Sequence, residues 1–130
     1  MSYKLFLDDI RSPQDVLNYI NNKIYKKTDW IVVRSYNTFV YIINQKGLPD
    51  VVSFDHDLAD IHYRHQSDIP YEDMEEKTGY HCAKWMINYC LDNNLNLPKK
   101  ILIHSMNIVG SQNIISLFET FNKIYIKPKP

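Results

Sequence analysis

Leu5-Phe6-Leu7-Asp8-Asp9 is a short apolar run that stops at two adjacent carboxylates. Two later segments repeat the pattern: Val52-Ser53-Phe54-Asp55-His56-Asp57 and Leu102-Ile103-His104-Ser105-Met106-Asn107. Short apolar runs of this kind are expected to be buried strands of a parallel sheet. In an open α/β sheet, ligands bind outside the carboxyl ends of the strands. Four carboxylates, two imidazoles and a hydroxyl are therefore expected to converge on one patch. Such a patch repels itself unless a cation, or a proton held at a raised pKa, compensates it.

Between and beyond these runs the chain alternates. Lys4–Leu7 is the first expected strand. Ser12-Pro13-Gln14-Asp15 opens a helix, with Ser12 as cap, Pro13 at the first helical position and Asp15 completing a capping box. Val16, Leu17, Ile20 and Ile24 mark its buried face. Trp30–Val33 is a second strand, mostly β-branched. Asn37 caps a second helix with Phe39, Ile42 and Ile43 inward, and Gly47 ends it. Strand Val51–Phe54 follows. Thr78-Gly79 opens a third helix running to about Asn93, with Ala83, Met86, Ile87 and Leu91 on its core face. Lys100–His104 is the fourth strand, a helix spans roughly Val109 to Phe121, and Ile124–Ile126 is a fifth strand.

Regular alternation of strands and helices specifies a parallel sheet with helices on both faces. The expectation is a single α/β domain over residues 1–130, a flavodoxin-like three-layer sandwich. Its five strands take the order 2-1-3-4-5, which makes the first and third strands neighbours.

The totals fit that reading. A chain of 130 residues with 45% hydrophobic content supports one domain with one core. Lysine plus arginine and aspartate plus glutamate are 15 each, so there is no general attraction to nucleic acid or membrane. No apolar run approaches the ~20 residues that span a bilayer. Nothing at the start resembles a signal peptide, and a cytoplasmic location is expected. Cys82 and Cys90 lie on one expected helix, ~12 Å apart at its rise per residue, too far for a disulfide. Residues 58–77 are polar and aperiodic and include six acids, Asp60, Asp68, Glu72, Asp73, Glu75 and Glu76. That insertion reads either as a lid or as a solvated acidic loop.

The four motifs resemble those of a receiver domain. Receivers place an acidic pair after the first strand, here Asp8-Asp9, and an aspartate after the third, here Asp55. They place a small hydroxyl residue after the fourth, here Ser105, and a lysine followed by proline after the fifth, here Lys127-Pro128. The local sequences Leu5–Pro13, Ser53–Leu58, Thr78–Trp85 and His104–Gly110 are similar to a divergent receiver family named for a proposed role in processing cyclic phosphates. Ala59, His81 and Ile108 depart from the glycine, acid and proline expected there. The resemblance implies Mg²⁺ held by Asp8, Asp9 and Asp55, with Lys127 contacting a phosphoryl group. It also implies a chain that stops where a receiver would begin its fifth helix.

Chemistry read from the residues agrees in kind. Asp8, Asp9 and Asp55 are hard oxygen donors suited to Mg²⁺ or Mn²⁺, or else plain turn residues. Asp57, two residues beyond Asp55, faces the same way in an extended segment, as a proton carrier, a nucleophile or a further ligand. His104 next to Ser105 suits proton transfer and phosphoryl contact, or is a satisfied structural histidine. Arg11 clamps phosphate bidentately or pairs with Asp9 or Asp55. Thr78 and Gly79 receive an anion at a helix start or simply cap it. Asn107 caps the following helix or touches the ligand, the cap being favoured. Arg34 and Tyr36 stand near the same edge, where a base or ribose would lie.

Three functions follow. The first is metal-dependent hydrolysis of a nucleotide-derived phosphoester, with a cyclic phosphate at an RNA end or on a small nucleotide as substrate. The second is a signalling receiver that takes phosphate on Asp55, and the third a protein that sequesters a nucleotide without cleaving it. No basic stripe suited to gripping long nucleic acid is present.

Overall fold

The computed structural model describes residues 3–55, 78–105 and 107–125, with side chains as far as Phe121. Four short parallel strands form its sheet: β1 (Lys4–Leu7), β2 (Trp30–Val33), β3 (Val51–Phe54) and β4 (Lys100–Ile103), in the order β2-β1-β3-β4. Leu7 pairs with Val33 on one side and Phe54 on the other, and Phe54 pairs with Ile103. The ladder runs one step past each strand: Asp8 N donates to Val33 O, Asp55 N to Leu7 O and His104 N to Phe54 O, at 2.9–3.1 Å. Those three backbone bonds fix the strand ends side by side.

Among the described residues, four α-helices accompany the sheet: α1 (Pro13–Val16), α2 (Tyr36–Lys46), α3 (Gly79–Asn93) and α4 (Ile108–Tyr125). Strand residues alternate between two apolar layers. Leu5, Leu7, Val52 and Phe54 meet Phe39 and Ile43 of α2, Met86 of α3, and Ile114 and Phe118 of α4. Phe6 on the opposite face packs with Val16, Tyr25 and Trp30 in a second apolar cluster.

Several expectations are corrected. The expected fifth strand does not form among the described residues, because Ile124 and Tyr125 continue α4. That helix starts at Ile108 rather than Val109 and runs past Phe121. The first helix is a single turn ending at Val16. The chain then breaks at Ile20 and rewinds as a 3₁₀ turn over Lys23–Lys26, capped by Asn22. Ser35, not Asn37, caps α2, its Oγ accepting from Thr38 N at 3.2 Å. Leu91 is exposed on α3. Gly47 ends α2 at φ 83°, a conformation that favours glycine. The insertion at 58–77, together with His56, Asp57, Ile126 and Lys127, lies outside the described residues.

Candidate metal and phosphate site

Asp8, Asp9 and Asp55 each offer a carboxylate oxygen, and these atoms lie within 4.8 Å of one another. β1 supplies the first two and β3 the third, as the expected neighbour relation of these strands requires. Asp8 is fully buried and Asp55 is 2% exposed, whereas Asp9 is half-buried.

The two buried acids live in different environments. Asp8 Oδ1 accepts from the amides of Ile10 at 2.9 Å and Arg11 at 2.8 Å. Asp8 Oδ2 accepts from His104 Nε2 at 3.0 Å and lies 3.7 Å from Arg11 Nε. Burial alone would raise its pKa, but the His104 bond and the two amides outweigh that and hold it below the usual carboxylate range. Asp55 goes the other way. Burial, then the Asp8 charge, push it up to about 7, with Asp9 adding to the rise. Arg11 and a hydrogen bond from Ser105 only partly offset this. Hydrogen-bond donors favour the charged form of Asp8, while burial and the Asp8 charge disfavour that of Asp55.

The remaining expected residues are placed unevenly. Arg11 Nε lies 3.7 Å from Asp8 Oδ2, the guanidinium also interacts electrostatically with Asp55, and its Nη1 donates to the Tyr19 hydroxyl. The guanidinium carbon stands 5.5 Å from the centre of the Tyr19 ring. The Arg11 side chain nonetheless keeps 31% exposure. Ser105 accepts from Asn107 N at 3.0 Å while bonding Asp55. Asn107 caps α4, its Oδ1 accepting from Gly110 N at 2.8 Å. Thr78 and Gly79 do open α3, but the Thr78 amide is already engaged by His81 Nδ1 at 3.0 Å. His81 thus takes the capping role that an acid plays elsewhere. Thr78 also borders an open cleft of about 620 Å³ between α3 and α4, lined by Tyr80, His81, Asn113 and Leu117 among others. None of the three carboxylates lines that cleft.

His104 is not where a proton carrier to substrate would stand. It is fully buried, stacked on Phe6 at 4.4 Å, with Nδ1 2.7 Å from Ser53 Oγ and Nε2 on Asp8. Burial depresses its pKa, only partly countered by Asp8, so the ring is neutral near pH 7. Strand alternation explains the placement: His104 shares the sheet face of Phe6 and Ser53. Arg34 does not reach toward a ligand; its Nη1 donates to the carbonyls of Asp8 and Arg11. Sequence reasoning missed Tyr19, whose hydroxyl donates to His104 O at 2.8 Å, and Tyr25, which bonds Ser53. A lone serine inside the apolar β3 run was the one available signal for the second of these.

A family model described as a cyclic-phosphate processing receiver domain matches residues 3–120. No curated protein and no solved structure matches the chain.

Proposed function

Because the chain belongs to the cyclic-phosphate processing receiver domain family, we propose that it hydrolyses a nucleotide-derived phosphoester, a cyclic phosphate foremost, with Mg²⁺ or Mn²⁺ as cofactor. The observation that supports this reading is the convergence of Asp8, Asp9 and Asp55 within 4.8 Å, two of them buried. Three carboxylate oxygens suit a hard divalent cation. Burial first, and then the Asp8 charge, raise Asp55 to about 7, and a cation at this point would favour its ionised form. When bound, such a cation neutralises the oxygens of a phosphate.

The chain's own groups divide the remaining work. Arg11, anchored by Asp8 yet partly exposed, extends its guanidinium toward a phosphate at the same rim. The Ser105 hydroxyl beside Asp55 orients a phosphoryl oxygen. Asp57, two residues on from Asp55, takes the proton of the attacking water and returns it to the leaving oxygen as the P–O bond breaks. Lys127 adds a phosphate contact. The balanced net charge favours a small or terminal phosphate over a long nucleic acid.

Phosphorus NMR tests the proposal with 2′,3′-cyclic, 3′,5′-cyclic and ADP-ribose-type phosphates, with Mg²⁺, Mn²⁺ or chelator, beside Asp55→Asn. A new phosphorus signal that needs both metal and Asp55 is the expected result. Absence of turnover across the panel removes the enzyme reading, and broadened substrate lines without turnover favour a sequestering protein. The Ser105–Asp55 pairing also favours a second reading, phosphoryl transfer to Asp55 from an acyl phosphate. That reading predicts a covalent adduct which Asp55→Asn lacks.

A further inference from the structure

Ser53 is a polar side chain within the apolar strand β3, and it is fully buried. Its Oγ lies 2.6 Å from the Tyr25 hydroxyl and 2.7 Å from His104 Nδ1. His104 Nε2 in turn lies 3.0 Å from Asp8 Oδ2. Tyr25, Ser53, His104 and Asp8 thus form one continuous line from the 3₁₀ turn to the acid cluster, each at most 1% exposed.

The direction of this line follows from counting donors. An ionised carboxylate only accepts. Ser53 is the hydrogen-bond partner of the Tyr25 hydroxyl among the described residues. If that hydroxyl accepted from Ser53, its own proton would be buried with no acceptor, at the full desolvation cost of the group. Tyr25 therefore donates to Ser53, Ser53 donates to Nδ1, and the ring carries its proton on Nε2 and donates to Asp8. An imidazolium at His104 would place one proton too many on the line and strand one of them. Each step polarises the next, so the bond arriving at Asp8 is stronger than an isolated one.

We propose that Tyr25, Ser53 and His104 are positioning residues that lock the Asp8 carboxylate for cation binding through a one-way line of hydrogen bonds. Of the roughly four acceptor sites on a carboxylate, two amides hold Oδ1 and His104 takes one site on Oδ2. The Arg11 guanidinium stands near the same oxygen, and the remaining direction is fixed rather than free to rotate. In many metal sites a carboxylate orients a ligating histidine; here the histidine orients the carboxylate. This inference rests on the proposed reading of Asp8 as a metal ligand.

Two measurements test it on the full chain. Nitrogen NMR of histidine-labelled protein near neutral pH is expected to show His104 as the neutral tautomer protonated on Nε2. A ring protonated on Nδ1, or on both nitrogens, overturns the line. Manganese titration by electron paramagnetic resonance is expected to show Ser53→Ala binding Mn²⁺ roughly 10-fold more weakly than wild type. Tyr25→Phe, which removes one oxygen and keeps the packing, is expected to lose less. A merely structural role would leave Mn²⁺ affinity unchanged in both folded variants, and that result removes the positioning role. Failure of the wild type to bind Mn²⁺ overturns the metal reading and this role together, whereas a wrong tautomer overturns the line alone.

Discussion

Arg34 Nη1 donates to the main-chain carbonyl of Asp8 at 3.2 Å and to that of Arg11 at 2.7 Å. Arg34 stands one residue beyond β2, so it clips the loop that leaves the neighbouring strand β1. One nitrogen serves both acceptors, its two N–H groups held in the rigid guanidinium plane, whereas the ammonium of a lysine rotates freely on a flexible stem. Arg34→Lys and Arg34→Ala are both expected to weaken Mn²⁺ binding roughly 10-fold, as loss of a group supporting a ligand loop does. The melting temperature should change little, because the side chain is exposed. Unaltered Mn²⁺ affinity in both variants would show that the loop holds its shape without the clip.

The two faces of the sheet predict two kinds of destabilised protein. Met86 and Phe6 are each fully buried, on opposite faces. Truncation to alanine is expected to cost about 2–5 kcal/mol for Met86 and about 3–5 kcal/mol for Phe6. Phe6 is also the platform on which His104 stacks, 8° from parallel. Phe6→Ala should therefore lose Mn²⁺ affinity as well as stability, while Met86→Ala should lose stability alone. Urea unfolding paired with Mn²⁺ titration separates them, and equal metal affinities in the two variants would contradict the link between platform and site.

Cys82 and Cys90 make a simpler case. Both are free, buried and on α3. Burial pushes both thiols up, Cys90 to about 11 and Cys82 further still. Because the thiolate is the reactive form, the folded protein should react negligibly with a disulfide reagent near pH 8. Two equivalents should react after unfolding. Rapid labelling of the folded chain would mean that α3 opens readily.

The fold was legible where the chain's local chemistry was unambiguous. Four apolar runs bounded by polar residues gave four strands at nearly the expected residues, and strand adjacency brought Asp8 and Asp9 to Asp55. The run Ile124–Ile126 misled because three residues carry no period that separates strand from helix, and α4 continues through Ile124 and Tyr125. The first helix misled for a related reason: apolar residues at Val16, Leu17, Ile20 and Ile24 are met equally by one turn, a break and a 3₁₀ turn. From sequence, His104 is either a proton carrier or a satisfied structural histidine, and its burial favours the second. Alternation along β4 and β3 puts it on the face of Ser53 and Phe6, yet only tertiary packing reveals that Tyr25 arrives there as well.

The opposed shifts of Asp8 and Asp55 give the stability of the protein a dependence on pH and metal that can be signed. A carboxyl whose folded pKa is raised holds its proton longer in the native state, so it costs stability as pH rises from its ordinary value to the raised one. For Asp55 that window runs from about 4 to about 7. Asp8, lowered, works oppositely: its contribution is complete above the ordinary carboxylate pKa and is lost only on further acidification. Without metal, the melting temperature should therefore carry a destabilising term from Asp55 as pH climbs to neutrality. A cation placed among the three carboxylates compensates the charge, so added Mg²⁺ should raise the melting temperature strongly near pH 8 and little near pH 5. Asp55→Asn removes the ionising group while keeping its shape. That variant should melt higher than metal-free wild type near pH 8, show a flatter pH profile, and gain little from Mg²⁺. Differential scanning calorimetry at both pH values, with Mg²⁺ and with chelator, checks all three outcomes. A variant that melts lower than metal-free wild type at pH 8 would mean that Asp55 is not under the repulsion that its neighbours imply.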